Sequence, residues 1–237
     1  MDDDLPVLDI DGAQPEPEDD DAPDPPVSLR LMAGDFALIQ AIDPVRARDF
    51  ADLCCGLVKL EHGHAKILGR DWAKLPRELA QALRGRIGRV FAGGGWLGFL
   101  DMEANILLPQ LHHTHRPPAV LREAAAELAR QFGLPGLPLS RPASMSNADL
   151  VRAACVRAFL CDPVLVLLES PIQAQYADLI PHLLNAIAAA RDRGAAVIWL
   201  TRSDLVWQDP SFPATHRLRL EERGLLGPRR ARSPAAA

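Results

Sequence analysis

PVLVLLESP (residues 163–171) and AVIWLT (residues 196–201) are the stretches on which the fold turns. Neither alternates apolar with polar residues, so each reads as a strand covered on both faces. Between them, residues 177–193 carry the apolar spacing of an amphipathic helix. Strand, helix and strand in that order, with strands this apolar, predict a parallel sheet flanked by helices, an α/β fold.

Working outward, Val27 to Met32 and Phe36 to Gln40 predict strands around the turn Ala33-Gly34-Asp35. Ala47 to Val58 has helical spacing, with Phe50, Leu53, Cys54 and Leu57 on one face. Residues 64–68 and 87–91 (IGRVF) read as strands around a helix at 75–84. Residues 118–132 and 147–161 read as two amphipathic helices rich in Ala and Arg. Leu5 to Ile10 predicts a short strand, followed by a Pro- and acid-rich loop or disordered insertion, AQPEPEDDDAPDPP, at 13–26. The organisation expected is a leader over 1–26, one domain over 27–226, and a frayed tail over 227–237.

Charge is unevenly placed along the 237 residues. The first 26 hold eleven acids and no base, which leaves twenty acids against twenty-six bases for the rest. The sequence pI of about 5.8 averages an acidic leader and a mildly basic body. The arginines are scattered and the chain has a single Tyr, so the aromatic-basic interleaving of a nucleic-acid surface is missing. No apolar run approaches the roughly 20 residues that span a bilayer, and the acidic start has no secretory signal pattern. Cys54, Cys55, Cys155 and Cys161 have neither metal nor disulfide-framework spacing and read as buried thiols.

Taken in order, further segments resemble those of one family, the ATP-binding subunits of ABC transporters. GDFALIQAIDPVRARDFADLCCGL is similar to the strand, phosphate loop and first helix of that family. RIGRVFAGGGWLGFLDMEANILLP resembles its Q-loop region, ASMSNADLVRAACVRAFLCDP its signature helix, and VLVLLESP its Walker B strand. GAAVIWLTRSD resembles the switch segment and HRLRLEERGLL the closing strands. The resemblance covers residues 5–226. It implies a P-loop NTPase-like core with a mostly parallel sheet, a small antiparallel β subdomain, and a helical subdomain at about 93–160.

The resemblance also shows what has been replaced. A phosphate loop of the form Gly-x4-Gly-Lys-Ser/Thr wraps phosphates in backbone N–H groups, neutralises them with Lys and holds Mg²⁺ with the hydroxyl. Ala41, Arg46, Ala47 and Arg48 stand at those positions, and Pro44 removes one N–H donor. None of the three lysines (Lys59, Lys66, Lys74) falls in the loop. Ala92 matches the Q-loop glutamine, Asn147 and Ala148 the glycines after Ser146, Glu169 the Walker B Asp, Ser170 the catalytic Glu and Arg202 the switch His. No adenine-stacking aromatic occurs in residues 5–30. These losses imply a pseudo-ATPase with no catalytic residue, no resident metal and no cofactor, ATP and Mg being expected only if the degenerate site still bound them.

Plainer readings stand beside the functional ones. Glu169 reads as a leftover acid satisfied by water or Arg, and Ser146 as the cap of the following helix. Asp49, placed at the start of the first helix, is expected to meet the positive end of its dipole, with Asp43 in the preceding loop adding to it. His112, His113 and His115 read as a Pro-flanked solvated loop, and Glu61, His62 and His64 as a turn. Gly93-Gly94-Gly95 lacks dinucleotide-loop spacing. Trp96, Leu97 and Phe99 correspond to the stretch that lines the permease-facing groove in the family, so the resemblance implies a docking surface there.

The partners implied are a membrane permease and a competent ABC ATPase or a second copy of this chain, with no nucleic acid. The location implied is peripheral, on the inner face of the cell membrane. The run VFAGGGWLGFLDMEANILLPQ is most similar to the lipid-trafficking Mla/MCE subunits. A working ATPase with unorthodox ligands and a soluble regulator that kept the fold are the competing readings.

Overall fold

The computed structural model describes residues 5–17, 24–160, 162–172 and 178–227. Two sheets organise them. Strands β1 (Leu8–Pro15), β2 (Val27–Leu31), β4 (Leu60–Ile67) and β5 (Arg70–Asp71) form an antiparallel sheet in the order β2-β1-β4-β5. The second sheet has the order β10-β9-β3-β8-β7-β6. It is built from β3 (Phe36–Gln40), β6 (Ile87–Val90), β7 (Leu165–Glu169), β8 (Ala196–Thr201), β9 (His216–Glu221) and β10 (Gly224–Leu226). All neighbours in it run parallel except the β9–β10 hairpin.

Every residue of β3, β7 and β8 is buried, as their unalternating sequences predict. One face of the parallel sheet (Phe36, Leu38, Val166, Leu168, Trp199) packs against α3 (Met102–His113), α4 (Pro118–Gln131), α5 (Asn147–Phe159) and α6 (Leu179–Asp192). The other face (Ile39, Leu165, Leu167, Ile198) packs on α1 (Pro44–Cys54), whose far side meets the antiparallel sheet through Leu8, Ile10 and Ile67. Helix α1 is therefore held between two sheets. The remaining helices are α2 (Arg77–Arg84) and the short α7 (Asp204–Gln208). Among the described residues no helix is long and apolar enough to cross a membrane.

Four expectations change. Helix α1 starts and stops earlier than the 47–58 expected: it ends at Cys54, Gly56 turns the chain at φ 63°, and Leu57 is exposed. A Cβ at Gly56 would lie 2.4 Å from the Trp72 ring, so the turn has room only for glycine beside that indole. The early stop frees Glu61, His62 and His64 to join β4, where His62 and His64 pair with Gln14 and Asp11 of β1. Strand β1 in turn runs past Ile10 to Pro15, into the stretch expected to be loop. Of that acidic stretch, 18–23 lies outside the described residues, as do Cys161 and 228–237.

The fourth change is α3. His112 and His113 are its last turn, not a loop, and Pro109 sits inside it. Burial of Met102, Ile106 and Leu107 outweighs the cost of an internal proline. Cys54, Cys55 and Cys155 are free and buried. Among the described residues no group of His, Cys, Asp and Glu is arranged to hold a metal ion.

Candidate functional site: a closed phosphate-loop position and a built surface loop

Between β3 and α1 only residues 41–43 are non-helical. Ala41 is buried and donates its N–H to Thr201 O at 2.9 Å, so that amide faces the sheet. Asp43 is the N-cap of α1, its carboxylate accepting from Val45 N at 2.9 Å, and Pro44 is the first helical residue. Arg46, Ala47 and Arg48 are already inside the helix, where no nest of N–H groups exists. Arg46 pairs with Asp24 at 3.0 Å and lies 3.9 Å from Asp43; Arg48 pairs with Asp49 at 3.5 Å on the exposed side. The expectation for Asp49 is corrected here. The helix starts at Pro44, so Asp49 is in its second turn, and the carboxylate at the positive end of the dipole is Asp43.

At the end of β7, Glu169 is 5% exposed and is satisfied by Arg89 of β6, Nε to Oε1 at 2.6 Å. Arg89 Nη1 also donates to Asp52 of α1 at 2.5 Å. Burial works against the charge of Arg89, but the bond to Glu169 and the negative groups around it prevail and raise its pKa. The neighbouring Cys55 thiol is pushed up to about 11, chiefly by burial, which keeps it unionised. Sequence reading treated Arg89 only as part of the strand IGRVF. Its one signal is a guanidinium between Gly88 and Val90 in an otherwise apolar strand whose parallel neighbour ends in an acid. Ser170 turns off the strand at φ 47°, its N–H bonded to Leu200 O at 2.8 Å. Arg202 is exposed, and Ala92 is exposed just beyond β6.

Ser146 caps α5, accepting from Asp149 N at 3.1 Å while its hydroxyl donates to the Asp149 carboxylate at 2.9 Å. Asn147 and Ala148 follow as the first helical residues. A pocket of about 290 Å³ opens between this helix, the end of β7 and the loop after β6, lined by Phe91, Trp96, Asn147, Leu150, Glu169 and Ser170 among others. None of its lining residues is Lys, Arg or His.

The loop from Phe91 to Leu100 is built differently. Gly94 and Gly95 take φ 75° and 61°, and a Cβ on Gly94 would come 2.3 Å from the Trp96 indole nitrogen. Arg157 of α5 donates to the carbonyls of Gly94 and Gly95, and its guanidinium lies 4.3 Å from the Trp96 ring centroid and 5.6 Å from that of Phe91. Asn105 of α3, 3% exposed, accepts from Leu97 N at 2.8 Å. Its amide faces the carbonyls of Leu97, Leu100 and Asp101 at 2.9–3.3 Å. Out of this frame Phe99 projects, 74% exposed, with Leu97 half-exposed beside it and Trp96 partly buried against the core. The structure brings Trp96, Leu97 and Phe99 onto one loop. Neither Arg157 nor Asn105 was singled out from sequence, because each sits in an otherwise ordinary amphipathic helix.

No family model matches the chain. It is similar to the bacitracin export ATP-binding protein BceA of Halalkalibacterium halodurans, 25% identical over 181 residues covering 76% of this chain and 71% of that one. It is similar to the lipoprotein-releasing system ATP-binding protein LolD 1 of Rhodopseudomonas palustris, 26% identical over 75% of this chain and 80% of that one. Among solved structures, the dimeric bacterial ABC transporter cassette MJ0796 superposes with a TM-score of 0.81 at 17% identity, over 92% of this chain and 96% of that one. The fold is that of the ABC ATPase cassette, and the relatives support the reading of an ABC transporter ATP-binding subunit.

Proposed function

We propose that this ABC-type ATP-binding subunit is a pseudo-ATPase that serves its transporter by docking a membrane permease through the loop carrying Trp96, Leu97 and Phe99. The observation that carries the first half is the start of α1. Where a phosphate would need backbone N–H groups, the chain supplies Pro44 and the Asp43 carboxylate, so the helix end is already paired with an anion of its own. Glu169 is bound to Arg89 and is not free to hold Mg²⁺. Ser170 offers no base to water, and the neighbouring pocket has no cation to receive a polyphosphate.

The second half rests on exposed apolar groups held in place, which is how a contact surface differs from a loose loop. The pairing with Asp149 also turns the start of α5 away from phosphate, so the chain is poorly suited to completing the ATP site of a partner subunit. We further propose lipid as the cargo class. Support comes from the likeness of residues 90–110 to Mla/MCE subunits and from a relative named for lipoprotein release.

The test of the pseudo-ATPase reading is a melting curve with and without ATP and Mg²⁺. Only a ligand that binds the native state raises the melting temperature, so the curves are expected to superimpose. A dose-dependent rise at millimolar nucleotide would overturn the reading in favour of an ATPase with unorthodox ligands.

A further inference from the structure

We infer that Arg157 is a positioning residue, retained to fix the loop from Phe91 to Leu100 in the one shape that presents Phe99. Among the described residues its side chain meets the carbonyls of Gly94 and Gly95 and the rings of Phe91 and Trp96, which lie on that loop. Among the described residues no carboxylate lies within ion-pair distance of it. Arg84, Arg191 and Arg217 also hold backbone carbonyls, but at other turns; what sets Arg157 apart is that its side-chain partners fall on the loop that carries Phe99. Arg89 is paired with two acids, Arg152 with Asp149 and Asp178, and Arg84 holds the carbonyls of Cys55 and Gly56 at the end of α1.

A cation partly withdrawn from water without a counterion is an unfavourable way to fill space. Burial alone lowers the pKa of Arg157 to about 10, the sign of that cost. What the guanidinium supplies in return is geometric. Its plane caps the Trp96 face while its N–H fork holds two consecutive carbonyls, which no aliphatic side chain reproduces. The two glycines under it take positive φ, so the turn has little preference of its own for this shape. Asn105 secures the other half of the loop by the same means, with one buried side chain spending all its polar capacity on loop backbone.

The inference rests on the docking reading for what the loop is for, and its test separates the two. Hydrogen exchange is measured on the full chain for peptides spanning residues 91–101, 165–169 and 196–201, together with the melting temperature. In Arg157→Met, exchange at 91–101 is expected to speed up at least tenfold, the scale of losing hydrogen bonds to a charged group. The sheet peptides should keep their protection, and the melting temperature should move little because the lost contacts are confined to the loop. Arg157→Lys, which keeps charge and donors but not the planar fork, should fall between. Unchanged exchange at 91–101 overturns the inference. So does a fall in melting temperature with protection lost across the sheet, since Arg157 would then be ordinary structural glue. Phe99→Ala, with the loop intact, reads the docking alone: permease capture that survives it removes the docking reading and leaves the exchange result for Arg157 standing.

Discussion

The loop that leads into α1 and the loop that leaves β6 are opposites. In the family the first meets nucleotide, and here it is three residues long, self-capped by Asp43 and without a free N–H cradle. The second carries a large exposed aromatic and is tied down by Arg157 and Asn105 from two different helices. One region is closed by its own cap; the other holds an exposed aromatic side chain on a braced backbone. The proposed docking role rests on that contrast.

The largest expected effect comes from the interior of the simplified region. Arg89→Ala leaves Glu169 and Asp52 facing each other without their cation, and Glu169 is almost fully buried. Breaking a buried pair on one side typically costs about 3–5 kcal/mol, so denaturant unfolding should show most of the domain's stability gone. The double variant Arg89→Met with Glu169→Gln should recover a large part of it. If Arg89→Ala unfolds at the wild-type midpoint, the ion pairs to Glu169 and Asp52 do not hold this part of the domain together.

Next comes the exposed aromatic. Phe99→Ala should weaken co-purification with the permease by about 2 kcal/mol, the loss of one aromatic anchor. The folding stability should move by no more than about 0.5 kcal/mol, as for other exposed positions. An equal loss in both would erase the contrast between the two loops.

The smallest effect belongs to the helix cap. Asp43→Ala should cost about 1 kcal/mol of stability, the usual worth of an N-cap side chain, with permease capture unchanged. Asp49→Ala, on the exposed second turn, should do less than Asp43→Ala. Thermal melts of the two variants side by side check the order; the reverse ranking would put the start of α1 elsewhere.

Much of this was legible in the chain. The unbroken apolar runs at 164–168 and 196–201 gave away the parallel sheet, since only a strand covered on both faces tolerates them. The absence of loop glycines before α1 was visible in the sequence. The cap was not, because whether Asp43 or Asp49 caps α1 depends on where the helix starts, and Pro44 was read as a lost donor and not as a first helical residue. Helix α3 was obscured by Pro109 and three histidines, whose local preferences yield to the burial of Met102, Ile106 and Leu107. Arg89, Arg157 and Asn105 could not be read at all. Their partners lie 80, 63 and 8 residues away, and no local period records a contact of that kind.

Strand β3 has an implication for how the chain is made. It is entirely buried in the finished sheet, yet its two neighbours, β8 and β9, begin at residues 196 and 216. A ribosome therefore exposes β3 with both edges open while well over a hundred further residues are added. During that interval an apolar strand without a neighbour is the segment most open to pairing with a foreign chain. The nearest early shelter is α1, synthesised immediately afterwards and sharing a core cluster with Ala37 and Ile39, so one face of the strand can be covered long before either edge is paired.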